Sequence, residues 1–215
     1  MAKDIRFDRF GETRFRLVFD ESSADVIFPL NGKHNILNAL AAAAVGRSFG
    51  MSVGELAASL HTVAPPPQRG EVMRFAAGFT VINDSYNSNP AALLSMVSTL
   101  VEGSGNYERK IVVAGEMLEL GADAAKAHWE TGEEIARARV DILIGVRGLA
   151  ADLVAGASAV DARFAEDSDT AGDMLADLVK PNDVILVKGS RGVRTEKVIE
   201  RLLEKFALEE ESKAR

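Results

Sequence analysis

The chain has 215 residues, 47% hydrophobic and 27% charged, a balance that suits one large or two small globular domains and excludes collagen-like, coiled-coil and wholly disordered chains. Its 25 Lys and Arg against 32 Asp and Glu leave a net charge of −7, so no basic field draws it to nucleic acid or an anionic membrane. Without cysteine, without a secretion-signal core in its first residues and without an apolar run near the roughly 18 residues of a membrane helix, it is expected to be a cytoplasmic protein lacking disulfides and thiolate metal sites.

In chain order, Thr13 to Phe19 alternates polar with apolar and Ala24 to Leu30 is rich in β-formers, with the turn-forming Asp20-Glu21-Ser22-Ser23 between them. This predicts a hairpin. From Ile36 the apolar positions Ile36, Leu37, Leu40, Ala41, Ala44, Val45 and Phe49 fall at helical spacing before Gly50, which predicts an amphipathic, Ala-rich helix packed on a sheet. Ser52-Val53-Gly54-Glu55 is a capping box opening a short helix to Leu60. The run Ala64-Pro65-Pro66-Pro67-Gln68 cannot continue a helix and stiffens the chain, so an interdomain boundary is placed near residue 68.

Beyond it, short apolar β-branched runs at Phe79 to Ile82, Ile111 to Ala114, Ile142 to Ile144 and Val184 to Val187 read as strands buried on both faces of a parallel sheet. Helical patterns at Pro90 to Val101, Ala124 to Arg137, Leu149 to Ala155, Thr170 to Leu178 and Thr195 to Phe206 lie between them. The expected class is therefore α/β, a doubly wound Rossmann-like unit over 69–206 behind a smaller part at 1–68. The charged stretch 207–215 is expected to fray.

Ligands of an open parallel sheet bind beyond the carboxyl ends of its strands. There the sequence places Asn83-Asp84-Ser85-Tyr86-Asn87-Ser88-Asn89-Pro90, Gly115-Glu116-Met117-Leu118-Glu119-Leu120-Gly121 and Lys188-Gly189-Ser190-Arg191-Gly192. Asn89-Pro90 is explained as an N-cap followed by proline at the first helical position. Asp84 suits a ribose hydroxyl pair, a cation or an Asx turn. Lys188, Ser190 and Arg191 beside a glycine suit a carboxylate or phosphate, or an ordinary turn with solvated charges. In the first part, Gly32-Lys33-His34-Asn35-Ile36-Leu37-Asn38 opens the long helix, with Asn35 and Asn38 on one face, either as amides for a purine edge or with Asn35 as a simple cap. No G-x-x-x-x-G-K-[ST] or G-x-G-x-x-G occurs, and histidines only at 34, 61 and 128 make a zinc site unexpected.

Taken together these strings resemble the Mur ligase family, and within it the D-alanyl-D-alanine-adding branch. The segment from Gly32 to Ala43 resembles the family's G-x-H-N-x-x-N-x-x-A-A, Asn83 to Pro90 its D-D-S-Y-N-A-N-P, Gly115 to Gly121 followed by His128 its G-D-M-x-E-L-G…H, and Val187 to Arg191 its V-K-G-S-R. Asn83 and Glu116 stand where Asp is usual, and Ser88 where Ala is usual. The resemblance implies an ATP- and Mg2+-dependent ligase that turns a carboxylate into an acyl phosphate for attack by an amine, the substrates being a UDP-muramoyl tripeptide and D-Ala-D-Ala. It further implies adenine binding by Asn35 and Asn38, with His34 orienting that helix end, ribose binding by Asp84, and a base bordered by Tyr86 and Asn87. Arg69 is implied on the phosphates, where its planar fork satisfies two oxygens. Lys188, Ser190 and Arg191 are implied near the dipeptide. By this resemblance residues 1–68 correspond to the tail of a central ATPase domain and 69–206 to the C-terminal domain. The phosphate loop and magnesium ligands belong to an earlier part of such ligases, so this chain alone is expected not to ligate, and to be monomeric. The alternatives are a folylpolyglutamate synthase-like amide ligase or a noncatalytic binding module derived from the family.

Overall fold

The computed structural model describes residues 1–210. They divide into two compact units, Met1–Pro66 and the residues from Pro67 onward.

In the first unit, strands β1 (Ala2–Arg9), β2 (Glu12–Phe19) and β3 (Ser22–Phe28) form an antiparallel sheet in that order. The hairpin is the expected β2–β3 pair, while β1 went unforeseen because it has no clean alternation. Its register to β2 shifts twice, and Asp4 takes a left-handed φ of 53°. Helices α1 (Lys33–Ser48) and α2 (Val53–His61) follow. In α2 the capping box forms as written: the Ser52 hydroxyl accepts from the Glu55 N–H at 3.3 Å and the Glu55 carboxylate accepts from the Ser52 N–H at 2.8 Å. The Ser52 hydroxyl, which also donates to the Glu55 carboxylate at 2.7 Å, and then the Ser52 N–H hold that carboxyl below its ordinary range. Phe15, Leu17, Val26 and Phe28 of the sheet pack with Ala39, Ala43, Leu56 and Leu60 of the helices.

The expected face of α1 needs correction. Its buried positions are Ile36, Ala39 and Ala43, whereas Leu37, Val45 and Phe49, read as core, are 66%, 58% and 84% exposed. The error has a physical source: α1 is apolar on two opposite sides, so periodicity alone does not choose between them.

The second unit is α/β. Strands β4 (Glu71–Arg74), β5 (Thr80–Asp84), β6 (Arg109–Gly115), β7 (Ile142–Val146), β8 (Asp161–Ala165) and β9 (Asp183–Lys188) form one sheet ordered β4-β5-β9-β6-β7-β8. All neighbours are parallel except the β4–β5 pair. Helices α3 (Pro90–Gly103), α4 (Ala124–Arg137), α5 (Ala150–Gly156) and α6 (Ser168–Leu178) connect successive strands from β5 to β9, and α7 (Glu196–Lys205) follows β9. On one face Val81, Ile111, Val113, Ile144, Ile185 and Val187 pack with Leu175 of α6 and Val198 and Leu202 of α7. The close approach of α4 to α5 runs through Gly132 and Gly156, each facing a backbone carbonyl of the other helix, that of Leu153 and that of Trp129. Asp183, 1% exposed at the start of β9, takes two hydrogen bonds from Arg109 at 2.8 and 2.6 Å. That carboxylate holds the guanidinium pKa above its ordinary value.

The tail also departs from expectation. Ala76 N–H donates to Ala207 O and Glu209 N–H to Arg74 O, both at 2.9 Å, so 207–209 is fastened beside β4 instead of fraying. Residues 211–215 of that stretch lie outside the described residues.

Candidate functional site

The strand order sets the site, because β5, β9 and β6 are neighbours and their three polar loops therefore emerge side by side at one carboxyl edge. Register aligns them further: Asp84 on β5 and Ala114 on β6 both pair with Lys188 on β9.

At the end of β5 the backbone turn is closed by Asn83 and not by Asp84. Asn83 Oδ1 accepts from the Ser85 hydroxyl at 2.7 Å, and its amide donates to Glu71 Oε2 at 3.0 Å. Asp84 is left to pair with Lys188, whose Nζ lies 2.6 Å from Asp84 Oδ2 and donates to the Asn87 carbonyl at 2.7 Å. Both charged side chains are largely withdrawn from water, with 6% exposure for Lys188 and 15% for Asp84. Asn87 Oδ1 accepts from the Ser88 N–H at 2.8 Å. Asn89 and Pro90 start α3 as the sequence indicates, the Asn89 side chain accepting from Ala92 N–H at 2.8 Å.

Tyr86 is exposed, and the Arg69 guanidinium stands 4.1 Å above the centre of its ring, a cation–π contact that restrains an otherwise mobile side chain. The backbone brings the two together. Gln68 and Gly70 adopt left-handed φ values of 62° and 73°, Tyr86 N–H donates to Gln68 O at 3.2 Å, and Arg191 Nη1 donates to Gln68 Oε1 at 3.1 Å. Arg191 also pairs with Glu196 at 3.1 Å.

Ser190 is buried and joins two loops: its hydroxyl accepts from Leu118 N–H at 2.9 Å and donates to Ser88 O at 3.3 Å. His128, 0% exposed, fixes the same loop from α4. Its Nδ1 faces the Ala124 carbonyl at 2.7 Å and must carry the proton, leaving Nε2 to accept from Met117 N–H at 2.9 Å. His128→Phe is expected to strand that buried N–H and cost about 1–3 kcal/mol. Urea unfolding checks this, and an unchanged midpoint would remove the histidine as the loop's anchor.

In the first unit, His34 and Asn38 are exposed on the first turns of α1. Asn35 is half-buried and donates its amide to Asn31 O at 2.7 Å. It is not the cap, since Gly32 fills that position with φ 92°.

One feature was missed by sequence reasoning. A cavity of about 350 Å3 at the carboxyl edge is lined by Arg147, Glu166, Asp167, Ser168, Asp169, Gly192, Val193, Arg194 and Lys197. Arg147 and Glu166 directly follow β7 and β8, the two strand ends left uninspected. A second signal is conformational: Arg147 and Arg194 hold left-handed φ values of 69° and 60°, strain that clusters at functional sites. Asp167 caps α6 by accepting from Thr170 N–H at 2.7 Å, and this hydrogen bond holds its carboxyl below the usual range. Lys197 is paired with Asp169 at 2.5 Å, and Arg147 donates to Gly192 O at 2.8 Å.

Residues 68–191 match the family model described as Mur ligase, glutamate ligase domain. The chain is 36% identical over 205 residues to the UDP-N-acetylmuramoyl-tripeptide–D-alanyl-D-alanine ligase of Escherichia coli K12, with 94% of this chain and 44% of that protein aligned. Against the Bacillus subtilis enzyme of the same name it is 33% identical over 180 residues, covering 82% of this chain and 39% of the relative. Among solved structures, MurF from Acinetobacter baumannii superposes with a TM-score of 0.83 at 26% identity, covering 95% of this chain and 45% of that one. MurF ligase from Thermotoga maritima in complex with ADP gives 0.80 at 25%, covering 95% and 46%. The chain thus spans less than half the length of these relatives. With a six-stranded α/β sheet presenting the family's motifs at adjoining strand ends and a family match across most of the second unit, the chain belongs to the Mur ligase family.

Proposed function

We propose that this chain supplies the acceptor side of a cytoplasmic, ATP-dependent ligase that joins D-alanyl-D-alanine to UDP-N-acetylmuramoyl-tripeptide. The observation that carries the reading is the grouping of Arg69 over Tyr86, the Asp84–Lys188 pair and a mixed-charge cavity along one sheet edge. The relatives whose names state this reaction support the choice of substrates.

The residues fit a nucleotide. Asp84 has committed Oδ2 to Lys188, and its Oδ1 is the acceptor for a ribose hydroxyl. The exposed Tyr86 ring and Asn87 border the base, and Arg69, held on that ring, offers its outward fork to phosphate oxygens. In the first unit, Asn35 and Asn38 on the first turns of α1 carry amides suited to an adenine edge, with His34 orienting that helix end. Bound ATP supplies the activation of the tripeptide carboxylate that the incoming amine needs. Among the described residues no group of three or more His, Asp or Glu side chains is arranged to hold a metal ion. The 215 residues also contain no phosphate loop, and in phosphoryl transfer such positioning supplies most of the catalysis. In this reading the chain does not turn over by itself.

The cavity suits the dipeptide better than the buried lysine and serine do. D-Ala-D-Ala is a zwitterion, and a pocket lined by Arg147, Arg194 and Lys197 together with Glu166 and Asp169 contains both signs of charge. Arg191 stands next to that lining, whereas Lys188 and Ser190 act through the loops they tie. Titrating the isotopically labelled chain with D-Ala-D-Ala tests this by NMR. Amide shifts are expected around Arg147, Ser168 and Gly192 to Lys197, weakened roughly tenfold by Arg194→Ala, the worth of one charge-assisted hydrogen bond. Shifts elsewhere, or none at millimolar dipeptide, would move the acceptor out of the cavity.

A further inference from the structure

A carboxylate stands behind the cavity without lining it. Glu116 directly follows β6, its side chain is only 14% exposed, and its backbone is fastened on both sides. The Glu116 N–H donates to Val146 O at 3.0 Å, and the Glu116 carbonyl accepts from Ser190 N–H at 3.4 Å. Of the carboxylate, Oε1 accepts from Leu149 N–H at 3.0 Å, and Oε2 faces Arg147 Nε at 3.9 Å. It therefore lies over the turn from β7 into α5, which carries Arg147 to the cavity.

That turn needs support. Arg147 and Gly148 take left-handed φ values of 69° and 50° in succession, and a residue other than glycine keeps such a conformation only where its surroundings impose it. Three contacts do so. Arg147 N–H donates to Ala165 O at 2.9 Å, Leu149 N–H is held by Glu116, and the Arg147 guanidinium donates to Gly192 O at 2.8 Å. Of these partners Glu116 acts twice, taking the backbone N–H two residues beyond the arginine and setting a negative charge beside its Nε. Glycine at 148 makes the approach possible, since a Cβ there would collide with all three atoms of the Glu116 carboxylate.

From this we infer that Glu116 is a positioning residue for the cavity, fixing the turn that presents Arg147 and so setting where a peptide carboxylate is received. The inference deepens the acceptor reading above and rests on it for the identity of the ligand. Its physical content is preorganisation. A half-exposed arginine left free surrenders rotamer freedom when it takes a ligand, whereas one already held forfeits less.

NMR on the labelled chain tests this with and without ligand. In the free chain, Glu116→Ala is expected to move the Arg147 Nε–Hε signal and to speed exchange of the Leu149 amide at least about tenfold. Glu116→Gln keeps an acceptor of the same length and should leave that exchange nearly unchanged. With D-Ala-D-Ala, Glu116→Ala is expected to weaken binding about tenfold, and to do so again in an Arg194→Ala background. It should add nothing to Arg147→Ala, because a residue acting through the arginine has no effect once the arginine is gone. Equal losses with and without Arg147 overturn the proposal, being the pattern of a carboxylate that only stabilises the fold. An unmoved Arg147 signal in free Glu116→Ala overturns it as well. Absence of dipeptide binding by the unaltered chain removes the acceptor reading, and the Arg147 and Leu149 signals of the free chain then decide the positioning role by themselves.

Discussion

Gly132→Ala is expected to destabilise the second unit by more than about 3 kcal/mol, at the upper end of what overpacking costs. A methyl added there falls on the Leu153 carbonyl oxygen, far inside contact distance, and within 3.2 Å of Ala157 N. Neither atom can rotate away, since both are α5 backbone or its immediate continuation. Gly156 makes the reciprocal approach to Trp129, so the two helices meet at glycine from both directions, and separating them exposes Ile135 and Leu153, both 0% exposed. A control separates this from the ordinary cost of altering a helix. Gly54 in α2 has open space around its Cβ position and no left-handed φ, so Gly54→Ala is expected to stabilise by roughly 0.5–1 kcal/mol through helix propensity. Opposite signs in urea denaturation are the expected outcome. A loss below about 1 kcal/mol at Gly132 would mean that α5 shifts freely.

Lys188→Met carries the second large effect. The ammonium touches Asp84 and the Asn87 carbonyl in a nearly dry position, and deleting it leaves a carboxylate without its counter-charge. Breaking a buried pair in this way costs about 3–5 kcal/mol, whereas replacing both partners by neutral groups is far cheaper. The double variant Asp84→Asn/Lys188→Met should therefore recover much of the loss of the single one. A lysine whose purpose was to hold substrate would give the reverse pattern, with dipeptide binding lost and stability kept. Additive effects in the two-residue cycle would show that the pair is not coupled.

The parallel core of the second unit was legible because buried strands announce themselves as short β-branched runs: β5, β6, β7 and β9 all stand where such runs occur. Strand β8 was missed for the matching reason. It lies at the sheet edge and reads Asp161-Ala162-Arg163-Phe164-Ala165, with three of its five residues exposed. Helix ends were equally readable, since Ser52, Asn89 and Pro90 carry local chemistry that needs no tertiary context. The site was readable only as a location. Sequence brings Asp84, Lys188 and Ser190 to one edge through strand order, but not the choice between holding a ligand and holding each other. That choice depends on a cross-strand register, Asp84 opposite Lys188, between residues a hundred positions apart. The cavity escaped because its lining comes from three separate stretches, Arg147 after β7, Glu166 to Asp169 after β8 and Gly192 to Lys197 after β9.

The anchoring of Gln68 by Tyr86 and Arg191 bears on how the polypeptide can be dissected. Chain leaving the proline run is captured as soon as it reaches Gln68, so a protease cut between Ala64 and Pro66 would leave Gln68, Arg69 and Tyr86 on one fragment with the contacts among them intact.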